Sequence, residues 1–407
     1  MSVTAPAAPA DRAAYALDVL SRLYPPPLEV RPGATAAGPV RARFLLLPTP
    51  ARARLVVPAG SRRGAARAVH RQLTGRRPRT RAARLLLTLA VGSGAVDRLA
   101  PGRLVVSGPA DADSVERVLA RVLGRDRVLV SLPLSPPRAN RKPVLQVCDE
   151  AGKALAFVKV GHDRLTRALV AAEGTSLERL AAAGLPHVRV PGVLARLTWN
   201  GLDLLVLEPL PLSVRRLGGS AARAAFLRVA AEIAGLDASP AGPWAASPFR
   251  ADLAAQLAAC GARGEALLRH LEALDAAAPE LALGSWHGDL NPGNMALLGQ
   301  RSLVWDWERF AQGVPVGFDV LHHDLHHDVT MAQVPPAVAA GRLLAAAPSV
   351  LDALGLDPAA ADATARLYLL ALAARYLRDQ QSEAGAELGS VESWLLPALD
   401  AARRPAP

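Results

Sequence analysis

The stretch Trp286–Glu308, WHGDLNPGNMALLGQRSLVWDWE, constrains this 407-residue chain more than any other. It sets a carboxylate at Asp289, a carboxamide five residues on at Asn294, and a second carboxylate at Asp306, at the end of the apolar run Leu303, Val304, Trp305. Asn291, Pro292 and Gly293 are strong turn formers, so the chain should loop tightly after Asp289 and bring Asn294 back toward it. Met295 to Leu298 and Ser302 to Trp305 read as short strands joined by a turn at Gly299 to Arg301, and such a hairpin returns Asp306 beside Asn294. Three oxygen-bearing side chains then converge. Metal-assisted phosphoryl transfer needs a group that accepts a proton from an attacking hydroxyl and oxygen ligands that hold Mg²⁺ against nucleotide phosphates. Asp289 suits the first task, Asn294 and Asp306 the second.

On these residues the chain resembles the aminoglycoside phosphotransferase and choline kinase group of the protein-kinase-like superfamily. Asp289, four residues and Asn294 match the kinase catalytic loop, and His287-Gly288-Asp289 looks like that group's lead-in to it. Asp306-Trp307-Glu308 resembles its metal-binding segment. The resemblance implies an α+β, two-lobed fold with a small β-rich N-lobe and a helical C-lobe. It also implies ATP (or GTP) and Mg²⁺ as cofactors and a hydroxyl of a small molecule as acceptor. Since Asp289 fills the role of base, His287 is expected to brace the loop by hydrogen bonding.

Further site residues follow from the same resemblance. Val128–Leu132, Val144–Cys148 and Leu155–Val160 read as three strands, and Lys159 on the third stands where the fold grips the α and β phosphates. Glu173, on a helix over Leu165–Leu180, stands where the family places the acid that holds this lysine; Glu178 is the fallback, because Gly174 weakens the helix beside Glu173. Leu202–Leu207 reads as a strand followed by a hinge, in which Glu208 and Leu210 would meet the adenine edge through main chain. Asp319 corresponds to an acid that steadies the catalytic loop. One family part is missing. The connection 135–143 contains no glycine, so backbone amides cannot approach phosphates there as in a glycine-rich flap, and Arg138, Arg141 and Lys142 are left to substitute by charge.

The length suits three segments: an N-terminal accessory α/β domain over 1–125, the kinase-like N-lobe and hinge over 126–211, and the helical C-lobe over 212–407. In the first, Tyr15–Leu23 reads as a helix stopped by three prolines, Arg41–Leu47, Arg52–Val57 and Arg103–Ser107 as strands, and Arg62–Leu73 and Asp113–Leu123 as helices, the last capped by Asp111 or Asp113. Ala82–Val91 fits a helix or a buried strand. In the third, Ala221–Leu236, Pro248–Ala259, Gly264–Ala278, Asp362–Gln380 and Ser390–Ala402 read as helices.

Arginine far outnumbers lysine, and the net charge is +11. No acid occurs from Val30 to Val96, where Arg62, Arg63, Arg67, Arg71, Arg76, Arg77, Arg79, Arg81 and Arg84 crowd together. That is either a phosphate-seeking face or a solvated one, and few aromatics interleave to stack on bases, so nucleic acid is not the favoured partner. Cys148 and Cys260 are too few for a disulfide framework, which suits a reducing cytoplasm. Leu85–Val96 is too short to cross a bilayer, and a cytoplasmic protein without a membrane span is expected. The cluster His322, His323, Asp324, His326, His327, Asp328 invites a metal reading through its i, i+4 histidines, against a structural or substrate-lining role. Asp324, Asp328 and Glu308 could form an acidic pocket for a cationic acceptor. The rival readings are a non-catalytic kinase-fold scaffold and an arginine-driven nucleic-acid binder. Acceptor identity, ATP against GTP, and oligomeric state stay open.

Overall fold

The computed structural model describes residues 9–33, 35–36, 38–72, 78–94, 102–135, 141–209, 211, 219–379 and 391–403. They fall into two compact units: residues 1–137 with 141–171 and 192–212, and residues 138–140 with 172–191 and 213–407.

The first unit runs α1 (Pro9–Leu23), β1 (Glu29–Pro32), β2 (Val40–Leu47), β3 (Leu55–Pro58), α2 (Arg62–Gln72), α3 (Pro78–Ser93), β4 (Arg103–Ser107), α4 (Val115–Val122), β5 (Leu129–Pro133), β6 (Val144–Cys148) and β7 (Ala154–Gly161). Helix α5 (Arg164–Ala183) follows, then β8 (Val188–Arg189) of the second unit, and β9 (Val193–Trp199) and β10 (Leu202–Leu207) of the first. Nine of these strands form one sheet in the order β1-β4-β2-β3-β5-β6-β7-β10-β9. The boundary expected near residue 125 is no break in it. Strand β3 pairs with β5 through Leu55 opposite Pro133 and Val56 opposite Leu132, and the Leu134 amide donates to the Arg54 carbonyl at 2.9 Å.

Side-chain alternation gives this sheet two buried faces. Phe44, Leu46 and Val56 point into a large core with Leu20 and Leu23 of α1, Val115 and Leu119 of α4, and Val130, Val158 and Val206 of the later strands. Leu45, Leu47, Leu55 and Val57 point the other way, against Ala65, Ala68 and Val69 of α2 and Val91 of α3. The ambiguous run at 82–91 is thus helical, and the arginine-rich segment forms an α2–α3 pair over the sheet. Arg62, Arg63 and Arg67 are exposed, whereas Arg76 and Arg77 lie outside the described residues.

Three local expectations need correction. The strand expected from Arg52 begins at Leu55, because Pro50 opens a 3₁₀ turn that occupies Pro50–Arg52. Helix α4 starts at Val115, so Ser114 caps it by accepting from the Arg117 amide, and Asp113 instead accepts from the Trp199 indole at 3.0 Å. The edge strands β1 and β9 are not among the expected strands; neither buries a residue fully, β1 being mostly exposed and β9 alternating half-buried and exposed side chains.

The second unit holds α6 (Gly219–Ala234), α7 (Pro248–Ala258), α8 (Ala262–Ala277), β11 (Leu283–Trp286), β12 (Met295–Leu298), β13 (Arg301–Val304), β14 (Ala311–Pro315), α9 (Phe318–His326), α10 (Pro336–Leu351), α11 (Pro358–Arg378) and α12 (Val391–Arg403). Trp286, Phe318 and Tyr368 meet edge to face, with centroids 5.3 to 6.5 Å apart, at the start of the loop that follows Trp286. Among the described residues only Pro336–Leu354 is long and apolar enough to cross a membrane. Its Ala339, Ala340, Leu343, Leu344 and Ala347 are buried, and α10 packs against α11 and α12.

Candidate active site

The loop from Trp286 to Asn294 is held at both ends by strands. Strand β11 pairs with β14, placing Trp286 opposite Ala311, and β12 pairs with β13, placing Met295 opposite Val304. Residue 294 therefore faces residue 305, and the Trp305 amide donates to the Asn294 carbonyl at 3.1 Å. The hairpin thus sets the Asn294 backbone against Trp305, the residue before Asp306. Asp306 adopts a left-handed backbone, φ +68°, which turns the chain into the 3₁₀ segment Trp307–Arg309.

Asp289 is the hub. The Asn294 side-chain amide donates to its carbonyl oxygen at 2.9 Å and to Oδ2 at 3.0 Å, and the Asn291 amide donates to the same carbonyl and to Oδ1 at 3.0 and 3.1 Å. With both hydrogens of Asn294 Nδ2 committed, its Oδ1 is the atom that remains to ligate a cation. His322 adds a contact to Asp289 Oδ1 from Nε2 at 2.9 Å. Burial alone would raise the Asp289 carboxyl, but His322, chiefly by its hydrogen bond, and after it the charge of Arg375 hold it well below the usual carboxylate range. The side chain is still 44% exposed, so the carboxylate stays open on one side.

His287 lies fully buried behind the loop. Its Nδ1 accepts from the Asp289 amide at 3.2 Å and its Nε2 faces the Trp305 carbonyl at 3.0 Å, which requires a neutral ring protonated at Nε2. Burial pushes its pKa down to about 4. The ring packs at a tilt on buried Trp307, with centroids 4.4 Å apart, so His287 ties the loop to the Asp306 segment and braces it.

Asp319 accepts from the His287 amide at 2.7 Å and the Gly288 amide at 3.2 Å. Burial raises its carboxyl to about 7 against those two donors. Gly288, φ +83°, lies against Arg309 so closely that a Cβ there would overlap the Arg309 carbonyl. The Gly288 carbonyl accepts from Arg375 at 2.6 Å, and Arg309 is fixed by an ion pair to buried Asp379.

The nucleotide candidates are distributed differently. Lys159 on β7 is 5% exposed and Glu173 on α5 is 1% exposed, and they belong to different units. The Glu208 amide donates to the Gly192 carbonyl at 2.8 Å, so a main-chain contact from Glu208 to a ligand would come from its carbonyl oxygen. Leu210 lies outside the described residues. The acidic acceptor pocket is not supported at Asp324: Arg223 engages it through both guanidinium ends and His323 through Nδ1 at 2.9 Å, which neutralises its charge. The i, i+4 histidines 322 and 326 have ring centroids 6.4 Å apart, and Nε2 of His322 is committed to Asp289. No group of three or more His, Cys, Asp or Glu gathers as a metal site among the described residues. Asn294 Oδ1 and Asp306 do fit Mg²⁺, a hard cation that takes oxygen ligands from one or two side chains and completes its shell with phosphates and water.

Sequence reasoning missed the hydrogen-bonding roles of Asn291, His322, Tyr368 and Arg375. One signal was present. His322 is three residues beyond Asp319, so the two share a helix face, and an acid assigned to the loop carries its i+3 neighbour toward it.

Residues 143–323 match the model of the phosphotransferase enzyme family. No curated protein matches the sequence. Among solved structures, a protein described as a fructosamine-3-kinase from Haemophilus somnus 129PT is similar at 16% identity and a TM-score of 0.46, over 71% of this chain and 97% of its own. An aminoglycoside-3'-phosphotransferase of type VIII shares 22% identity at a TM-score of 0.37, over 56% of this chain and 88% of its own. A glucosamine kinase shares 17% at 0.34, over 68% and 88%. At these scores the likenesses carry neither substrate nor mechanism with them. That family model covers residues 143–323, the stretch that holds Lys159, Glu173, Asp289, Asn294, Asp306 and Asp319.

Proposed function

We propose that the chain transfers the γ-phosphoryl group of ATP or GTP, with Mg²⁺, to a hydroxyl of a small molecule such as an aminoglycoside-like compound, a sugar or an amino alcohol. The observation that carries this reading is the ring of donors around one half-open carboxylate, Asp289, with Asn294 turned so that its oxygen is left for a cation. Asp289 takes the hydroxyl proton as the acceptor oxygen bonds to the γ-phosphorus and the bond from that phosphorus to the bridging oxygen of the nucleoside diphosphate breaks. Asn294 and Asp306 would hold Mg²⁺, which when bound neutralises charge on the phosphates. Lys159 is assigned to the nucleotide phosphates, Glu173 to holding Lys159, and Glu208 and Leu210 to main-chain contacts with the base. His287 contributes by bracing the loop and does not titrate in the reaction.

The test is nucleotide consumption across panels of aminoglycosides, aminosugars, sugars and amino alcohols, with ATP and GTP in parallel and Asp289→Asn as the control. The expected result is acceptor-dependent turnover that falls by about 10²-fold or more in Asp289→Asn, the scale for loss of a general base. Wild-type turnover in that variant, or no nucleotide binding by calorimetry, would overturn the proposal.

A further inference from the structure

His322 is the fifth residue of α9, and its ring is 7% exposed. Its two nitrogens point in different directions. Nε2 lies 2.9 Å from Asp289 Oδ1, and Nδ1 lies 3.0 Å from the hydroxyl of Tyr368, a fully buried residue of α11. An ionised carboxylate can only accept, so Nε2 must carry the hydrogen. Nδ1 of a neutral ring is then an acceptor, and the Tyr368 hydroxyl must donate to it. Three elements far apart in the chain are thus joined in one directed line from Tyr368 through His322 to Asp289.

The line makes the two carboxylate oxygens unequal. Oδ1 accepts from His322 Nε2 and from Asn291 Nδ2, which uses both of its in-plane lone pairs. Oδ2 accepts only from Asn294 Nδ2, which leaves it one. The terminal torsion of an aspartate is broad and two-fold, so donors of different strength and direction are needed to keep one oxygen outward.

We propose that His322, held in its Nε2–H tautomer by Tyr368, is a positioning residue that orients Asp289 so that Oδ2 is the atom that receives the acceptor's proton. This rests on the phosphotransferase reading above and adds the orienting pair. His322 acts here as a fixed donor. Its ring holds no open nitrogen to relay a proton onward, because Nδ1 is occupied by Tyr368. Burial pushes the ring's pKa down and outweighs the Asp289 carboxylate, whose hydrogen bond and charge raise it, with Arg375 and His323 adding to burial, and this favours the neutral ring that the two hydrogen bonds describe.

The alternative is a core histidine that is merely satisfied, and three variants separate the two. The probe is MgATP hydrolysis by water, which needs no identified acceptor, and MgGTP is run beside it. His322→Leu is expected to lower kcat about 10- to 100-fold, the scale of a catalytic group displaced by about 1 Å, with KM for MgATP changed less than about twofold. His322→Gln presents an amide N–H toward Oδ1 and should recover to within about fivefold of wild type. Tyr368→Phe should cost about three- to tenfold in the wild-type background and nothing further on top of His322→Gln, because Tyr368 acts only through the imidazole. A structural role alone would lower the melting temperature in all three without that recovery or that coupling. Imidazole ¹⁵N spectra supply a readout independent of turnover and of the folding of any variant: His322 should be protonated at Nε2 and bare at Nδ1. A ring protonated at Nδ1 would overturn the inference. So would wild-type kcat in His322→Leu while Asp289→Asn is inactive, a pattern that leaves the phosphotransferase reading standing. Wild-type activity in Asp289→Asn would remove the underlying reading itself.

Discussion

Gly288→Ala should damage catalysis and stability together, and its size can be worked from the loop. At φ +83° an alanine occupies left-handed backbone, which costs about 1–2 kcal/mol. Its Cβ would stand 2.6 Å from Arg309 Cβ and 2.8 Å from the Arg309 carbonyl carbon. Carbon atoms ordinarily pack at about 3.5–4.0 Å, so residues 288 and 309 must part by about 1 Å. Neither yields freely, since Arg309 is paired with buried Asp379 and the Gly288 carbonyl is held by Arg375. Overpacking of this kind adds about 1–3 kcal/mol, for a total of about 2–5 kcal/mol. The functional cost is separate, because the displaced residue adjoins Asp289, and about 1 Å at a catalytic group costs on the order of 10²-fold in rate. Gly299→Ala is the matched control. It has φ +61° at the β12–β13 turn and nothing within 4 Å of its added Cβ, so it should lose only the backbone cost and keep full activity. Urea denaturation and nucleotide turnover on both variants decide the matter. Equal stability and equal turnover in the two would refute the close-approach argument.

Three other outcomes follow from the same geometry. His287 titrates near 6.5 unfolded and about 4 folded, so between those values the unfolded chain binds the extra proton and acid removes about 3 kcal/mol of stability; Asp319, raised from 3.8 to about 7, loses stability as pH rises over much of the same window. Asp319→Asn should therefore melt progressively lower as pH falls from 6.5 to 4, and more steeply than wild type, in which Asp319 opposes the buried His287 and His322; identical pH profiles in the two would contradict the assignment. Asp306→Asn should raise the Mg²⁺ concentration for half-maximal turnover by about tenfold or more, with the melting temperature in EDTA unchanged; an unaltered Mg²⁺ requirement would remove Asp306 as a ligand. A chain beginning at residue 126 would strip β3 from β5 and the α1 and α4 side chains from the shared core, so it should aggregate; a soluble fragment with a cooperative transition would mark the front segment as an independent module.

Local chemistry explains what was legible. Asp289 and Asn294 lie five residues apart, and the turn residues between them dictate how the chain folds back, so their contact could be read without knowing any packing. Lys159 was legible because alternation places it on a strand. The rest of the ring around Asp289 depends on distant elements. His322 is 33 residues away from Asp289, and Tyr368 is 46 beyond His322, and no periodicity states which helix faces which loop. The cluster at 322–328 invites a metal reading because i, i+4 histidines share a face, against the structural or substrate-lining role that is favoured for it. Only the three-residue spacing from Asp319 hints that one of those rings is already spent on a carboxylate.

The sheet shows the same limit more sharply. Apolar alternation finds strands but does not name their neighbours, and the seam between β3 and β5 consists of two residue pairs and one further hydrogen bond. Yet that seam decides the role of the first 125 residues. Lys159 lies on β7, and its flanking residues Val158 and Val160 are buried in the core that contains Leu20 and Leu23 of α1 and Leu119 of α4. The front segment thus supplies one wall of the core on which the lysine strand rests. It also reaches the glycine-free connection: the Arg141 guanidinium lies 3.3 Å from the centre of the Tyr15 ring on α1, a desolvated cation–π contact worth about 2 kcal/mol. An arginine held in this way is committed to the fold. Arg141, one of the cations that could stand in for the absent glycines, thus spends its charge at least in part on fastening the connection to α1.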